Sequence, residues 1–198
     1  MTEALCFYRQ FDKLSGLFDT TEGSMDIASI IAPAILDREA LEEFGEVLTD
    51  RAPEVERDVA RLRKSPGDRE ITASLFRAIH NIKGDASLCK FELGVAISHP
   101  IETMLARFRE DDIEFSELIA EMILLAVDRL ELATNALLTG KSLENLHLAT
   151  LVQGLHELAQ QPRQEIDLAS ASLIEAVTGF PPVIPDISSR APRSASPN

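Results

Sequence analysis

The stretch Phe76-Arg77-Ala78-Ile79-His80-Asn81-Ile82-Lys83-Gly84 decides how this chain is read. Phe76, Ile79 and Lys83 repeat at the three-and-four spacing of one helix face, with Leu75 and Ile82 beside it. The spacing predicts a helix that carries His80. Lys83 and Gly84 fall one turn further on, on the same side as His80. The lysine brings an ammonium beside the imidazole. The glycine brings no side chain and leaves the ring open to approach. Glycine inside a helix costs roughly 0.5–1 kcal/mol relative to alanine, so its presence asks for a packing or access reason. A histidine with a cation and a gap beside it suits a ring that another molecule reaches and that carries an anion.

Working outward, the pattern stays helical. Asp37 is a plausible N-cap, with Glu39, Glu42 and Glu43 following it. Leu41, Phe44, Leu48, Val55, Val59 and Leu62 supply an apolar stripe. Pro53 either kinks this helix or divides it near 49–52. Lys64 to Asp68 reads as a turn, and the helix of His80 runs from about Arg69 to Ser87. A third helix, about Glu92 to Glu110, places Leu93, Ile97, Ile101, Leu105 and Phe108 on one face, with Pro100 expected to bend it. A fourth runs from Ser116 to about Leu138 and uses Leu118, Met122, Leu125, Leu130 and Leu137; Thr139-Gly140 stops it. A fifth is expected from Ser142 to about Gln160, and a shorter sixth over 164–178.

No strand pattern and no repeat is visible. Long helices joined by short turns predict an all-α fold, an antiparallel four-helix bundle over 37–138 with additional helices at 139–178. Those additional helices pack on the bundle, mediate self-association or lead as a linker toward another domain. Residues 1–36 form an N-terminal arm. Leu5, Tyr8, Phe11 and Leu14 keep helical spacing there, and the arm's many apolar groups favour partial docking. Residues 179–198 hold Pro181, Pro182, Pro185, Pro192 and Pro197 among serines, and disorder is expected for this tail.

Composition narrows the function. The 198 residues are 45% hydrophobic and 26% charged, which allows one domain with a real core. A net charge of −14 argues against nucleic acid and against an anionic membrane surface as partner. No segment reaches the roughly 20 apolar residues of a membrane span, and the N-terminus has no basic leader. Cys6 and Cys89 form no metal or redox spacing. A cytoplasmic protein is expected. His147 and His156 are nine residues apart, on opposite helix faces, and read as structural or exposed.

A histidine that carries phosphate must satisfy three conditions. One ring nitrogen must be free and unprotonated to attack phosphorus. The other must donate its proton to a fixed acceptor. A cation must stand close to the phosphoryl group. Gly84 serves the first condition and Lys83 the third. For the second, Glu102 is the best candidate, mid-way along the next helix. His99 precedes it by three residues and points to the same side, where it lines the site or merely precedes the Pro100 kink. Read as metal ligands, His80, His99 and Glu102 lack a second close ligand pair.

Phe76-Arg77-Ala78-Ile79-His80-Asn81-Ile82-Lys83-Gly84 with His99-Pro100-Ile101-Glu102 after it resembles the histidine phosphotransfer (HPt) domain, in particular that of the chemotaxis kinases. The resemblance covers roughly 37–138 and implies a helical bundle whose His80 is the phosphoacceptor. It implies that Glu102 hydrogen-bonds His80, and that Lys83 and His99 tune its reactivity. The partners implied are a receiver domain, a histidine kinase or both. No cofactor is expected on this chain, since Mg²⁺ belongs to the partner receiver. Asp85 after Gly84, Lys90 near a position where the family keeps glycine, and Pro100 depart from the family pattern. No nucleotide-binding or receiver pattern is visible, so the chain is expected to carry a phosphoryl group between partners. The alternative is a docking module that binds and regulates a receiver or kinase without chemistry.

Overall fold

The computed structural model describes residues 27–31 and 37–182. The helix expected near Leu5–Leu14 and the tail beyond 182 lie outside the described residues. Seven α-helices follow in order: α1 Ile27–Ile31, α2 Arg38–Lys64, α3 Arg69–Leu88, α4 Glu92–Arg109, α5 Glu117–Thr139, α6 Leu148–Ala159 and α7 Ile166–Thr178. The fold is all-α, and no strand occurs among the described residues.

Local chemistry sets the ends. The Asp37 carboxylate accepts from the amides of Glu39 and Ala40 at 3.1 and 3.3 Å, and Arg61, Arg63 and Lys64 close α2 at the negative end of its dipole. Asp68 caps α3 in the same way, accepting from Glu70 and Ile71. Ser116 caps α5 by accepting from Ile119 at 3.1 Å. Gly140, at φ 68°, stops α5 in the left-handed region. Pro53 does not divide α2, which runs through it without interruption. The proline is exposed, and the carbonyl it deprives of a partner belongs to Thr49, also exposed, so the lost bond falls on the solvent side of the helix. Pro100 likewise lies inside a continuous α4.

α2, α3, α4 and α5 form the bundle. α3 lies between α2 and α4, and α5 packs on α2. Of the stripe residues expected to be core, Leu41, Phe44, Leu48, Val55, Val59 and Leu62 on α2, Leu93, Ile97, Ile101 and Leu105 on α4, and Met122 and Leu130 on α5 are buried, whereas Phe108, Leu118, Leu125 and Leu137 are half-buried at the edge of the core. α3 turns directly into α4. The Phe91 amide reaches back to the Ala86 carbonyl at 2.8 Å, and Lys90 takes the left-handed conformation with φ 54°. A Cβ on Gly94 would stand 2.6 Å from the Ala86 methyl and 3.2 Å from the Phe44 and Phe91 rings. Glycine therefore lets α4 close onto α3 next to their connection. This antiparallel pairing sets the middle of α3 level with the middle of α4.

The helix expected from Ser142 to Gln160 is broken. A 3₁₀ turn at Glu144–Leu146 ends at His147, whose φ of 52° no helix accommodates, and α6 starts anew at Leu148. The break redirects the chain so that Leu148, Leu151, Val152 and Leu155 become fully buried. α6 packs on α4 and α1, and α7 on α5 and α6. Leu155, Leu158, Leu173, Ile174 and Val177 join the same apolar core as the bundle. Of the three expectations for 139–178, packing on the bundle is the one found. Among the described residues no helix is long and apolar enough to cross a membrane.

Candidate functional site

His80 and Glu102 face each other across the α3–α4 seam. His80 Nδ1 lies 2.6 Å from Glu102 Oε1. Lys83, one turn beyond His80, donates from Nζ to the other carboxylate oxygen, Oε2. One carboxylate thus holds the imidazole with one oxygen and the ammonium with the other. The His80 side chain is 51% exposed, whereas Glu102 and Lys83 are only 12% and 14% exposed. The ring stands in solvent on a shielded polar base. Glu102 was expected near this ring, and the geometry brings the two together. Lys83 was expected to be a cation for the incoming group, and its charge is engaged by Glu102.

The charge state of Glu102 settles the tautomer of His80. Burial alone would raise the carboxyl, but the His99, Lys83 and His80 side chains and the Lys83 charge outweigh it, holding the group at about 2 against an ordinary 4.5. An ionised carboxylate accepts and cannot donate. Nδ1 of His80 must therefore carry the proton in this contact, which leaves Nε2 as the ring nitrogen able to present a lone pair. Such a ring is a nitrogen nucleophile with its tautomer fixed from behind.

The other expected residues take lesser places. His99 Nδ1 is 3.9 Å from Glu102 Oε2, and its side chain, 40% exposed, joins Lys83 and His80 in lowering the Glu102 carboxyl. A Cβ on Gly84 would meet no other atom of the described residues within 4 Å outside its own helix backbone, so no packing among them requires glycine there. Lys90 holds a positive φ, a conformation that glycine adopts at less cost.

Two contacts have no counterpart in the reading of the sequence. The Phe76 ring lies nearly parallel to the imidazole, with an interplanar angle of 10° and centroids 6.2 Å apart. The Arg109 guanidinium carbon stands 5.0 Å from the centre of that phenyl ring. The four-residue spacing of Phe76 and His80 was a usable signal for the first contact. Arg109 comes from the far end of another helix, and no local pattern marks it.

A family model of the Hpt domain matches residues 39–176. The chain is similar to chemotaxis protein CheA of Rhizobium meliloti, with 26% identity over 148 residues, covering 74% of this chain and 20% of that protein. It is also similar to sensor histidine kinase CheAY of Helicobacter pylori, with 23% identity over 140 residues, covering 70% of this chain and 17% of that protein. The chain spans about a fifth of the length of these relatives. No solved protein structure matches it. The family match reaches from the first turn of α2 to the last turn of α7, across the span that one core holds together. The chain belongs to the Hpt domain family, whose role at family level is phosphotransfer in two-component signalling.

Proposed function

We propose that this chain is a histidine-containing phosphotransfer protein of a cytoplasmic phosphorelay, with His80 as phosphoacceptor. His80 exchanges a phosphoryl group with the aspartate of a receiver domain, or takes one from a histidine kinase. The observation that carries the reading is the contact between Glu102 and Nδ1, which leaves Nε2 as the exposed nucleophile.

The step follows from that arrangement. The Nε2 lone pair forms a bond to phosphorus while the bond from phosphorus to the aspartyl oxygen breaks. The aspartate leaves as a carboxylate and keeps the electron pair. The ring gains positive charge as it attacks, and the ionised Glu102 against Nδ1–H offsets it. Lys83 fixes Glu102 through its second oxygen, so the acceptor does not turn away from the ring. Transfer in the other direction reverses these motions. The divalent ion for the reaction belongs to the partner's acidic pocket.

The test is to mix the purified chain with a radiolabelled, phosphorylated receiver. Label should move to this chain in an acid-labile, alkali-stable linkage, and His80→Gln should lose it entirely. Binding of the receiver without label transfer, or label that persists in His80→Gln, sinks the proposal.

A further inference from the structure

Lys83 is nearly neutralised by Glu102 and largely shielded, which leaves open what receives the two negative charges of a phosphoryl group on Nε2. The pairing of the arginines answers this. Arg38, Arg51, Arg57, Arg61, Arg63, Arg69, Arg107, Arg129 and Arg163 each have a carboxylate ion-pair partner. Among the described residues, Arg77 and Arg109 are the arginines for which no such partner is found. Arg77 lies one helix turn from His80, and Arg109 is linked to it through Phe76. Arg77 precedes the histidine by three residues on α3, where side chains are neighbours. Arg109 lies over Phe76, the ring that stacks near the imidazole. In a chain of net charge −14, carboxylates outnumber cations, so two guanidinium groups without an ion-pair partner, one a turn from an exposed histidine and one over the ring stacked near it, stand out.

We propose that Arg77 and Arg109 form an anion site that receives the phosphoryl group carried on His80. This rests on the reading of His80 as phosphoacceptor. Guanidinium suits the task because it is planar, always charged and able to give two parallel N–H donors to phosphate oxygens. A guanidinium held over a phenyl ring engages that ring with its face and keeps its N–H edge for an acceptor. Phe76 thus acts as a positioning residue for both the imidazole and Arg109. Of the charged groups tied to the ring directly or through Phe76, namely Glu102, Lys83, His99, Arg77 and Arg109, only the two arginines lack a carboxylate ion-pair partner among the described residues, although Glu110, Asp111 and Glu114 line the cavity beside Arg109.

The test uses the full chain phosphorylated with phosphoramidate, in which an Nε2–P bond forms as the P–N bond of the reagent breaks and ammonia leaves. Phosphorus NMR then follows the second ionisation of the phosphoryl group. Arg77→Gln should raise that ionisation by about half a pH unit, the scale of one screened charge a helix turn away, and Arg109→Gln should raise it by a smaller amount. The double substitution should raise it by more than either alone, and Arg109→Lys should restore most of the shift. Arg69→Gln, further along α3 and paired with Asp111, should leave it unchanged. All three positions are exposed, and a thermal melt of each variant confirms that it folds. An ionisation unmoved in both Gln variants overturns the anion site while leaving the phosphoacceptor intact. The site is equally overturned if the variants slow only transfer from a receiver, in a salt-dependent way, since the arginines would then serve docking. Failure of phosphoramidate to label His80 overturns both readings.

Discussion

The α3–α4 hairpin and the α6–α7 hairpin each bring two helices together over a glycine, yet they leave different things at the surface. In α3–α4, Gly94 closes against the Ala86 methyl, and the seam further along holds Glu102 between His80 and Lys83. In α6–α7, Gly154 closes against Leu173, and the polar contacts of the hairpin's connection reach back into the bundle. Arg107 of α4 donates to the carbonyls of Ala159 and Gln161 at 3.0 and 2.8 Å, and Ser116 meets Asp167 at 2.5 Å. The first pair keeps an ionised network half in solvent. The second ties the end of α4 in place, on the helix that carries both Glu102 and Arg109. What separates a site from a brace here is whether the polar groups of a seam are left for an outside molecule.

The largest expected effect tests the ionised network. Glu102 has a carboxyl held at about 2 when folded against about 4.5 when unfolded, so the unfolded chain takes up the proton first as the pH falls. Its stabilisation is complete above about pH 4.5 and is lost as the pH drops toward 2. It amounts to at most about 3 kcal/mol. Urea unfolding of the wild type across that window should lose stability faster than unfolding of Glu102→Gln, which has no such proton to take up. The same substitution should slow phosphoryl transfer by roughly 10- to 100-fold, the scale of losing a partner that orients a ring. Equal acid slopes in the two proteins would remove Glu102 from the network's energetics.

Next in size is the contrast between the two glycines. Gly94→Ala should cost about 2 kcal/mol, because the new methyl would lie 2.6 Å from that of Ala86, which cannot rotate away. Gly154→Ala should be close to neutral. Its clash, at 2.3 Å, is with the end of the flexible Leu173 side chain, and alanine recovers up to about 1 kcal/mol of helix preference. Urea midpoints of the two variants compare them directly. A Gly154 variant as damaged as the Gly94 variant would make the accessory hairpin as rigid as the site.

The same contrast explains what was legible in the sequence. Periodicity places the α2 to α5 stripes, and the residues of His80-Asn81-Ile82-Lys83-Gly84 with Glu102 carry the site because each answers a requirement local to a helix face. Pro53 was ambiguous because its effect depends on whether Thr49 faces water, which is a property of the packed bundle. The break at His147 was invisible because histidine does not advertise a left-handed turn as glycine does. Lys83 could be placed beside His80 from its spacing, but its bond to Glu102 comes from another helix. Arg109 meets Phe76 only because α3 and α4 run antiparallel at close range, a fact set by Gly94 and Ala86.

The smallest expected change in stability separates the two uses of glycine most sharply. Gly84→Ala adds a methyl that meets no atom of the described residues within 4 Å beyond its own helix backbone, so the helix should gain roughly 0.5–1 kcal/mol, read as a higher melting temperature. If the gap exists for an approaching partner, the more stable variant should also transfer phosphoryl groups from a receiver about tenfold more slowly. Labelling by the small reagent phosphoramidate, which needs no docked surface, should stay unchanged. A variant that gains stability and transfers at the wild-type rate would show that the open face of α3 is not where the partner comes close. Slower labelling by the small reagent as well would place the effect of Gly84 on the ring itself.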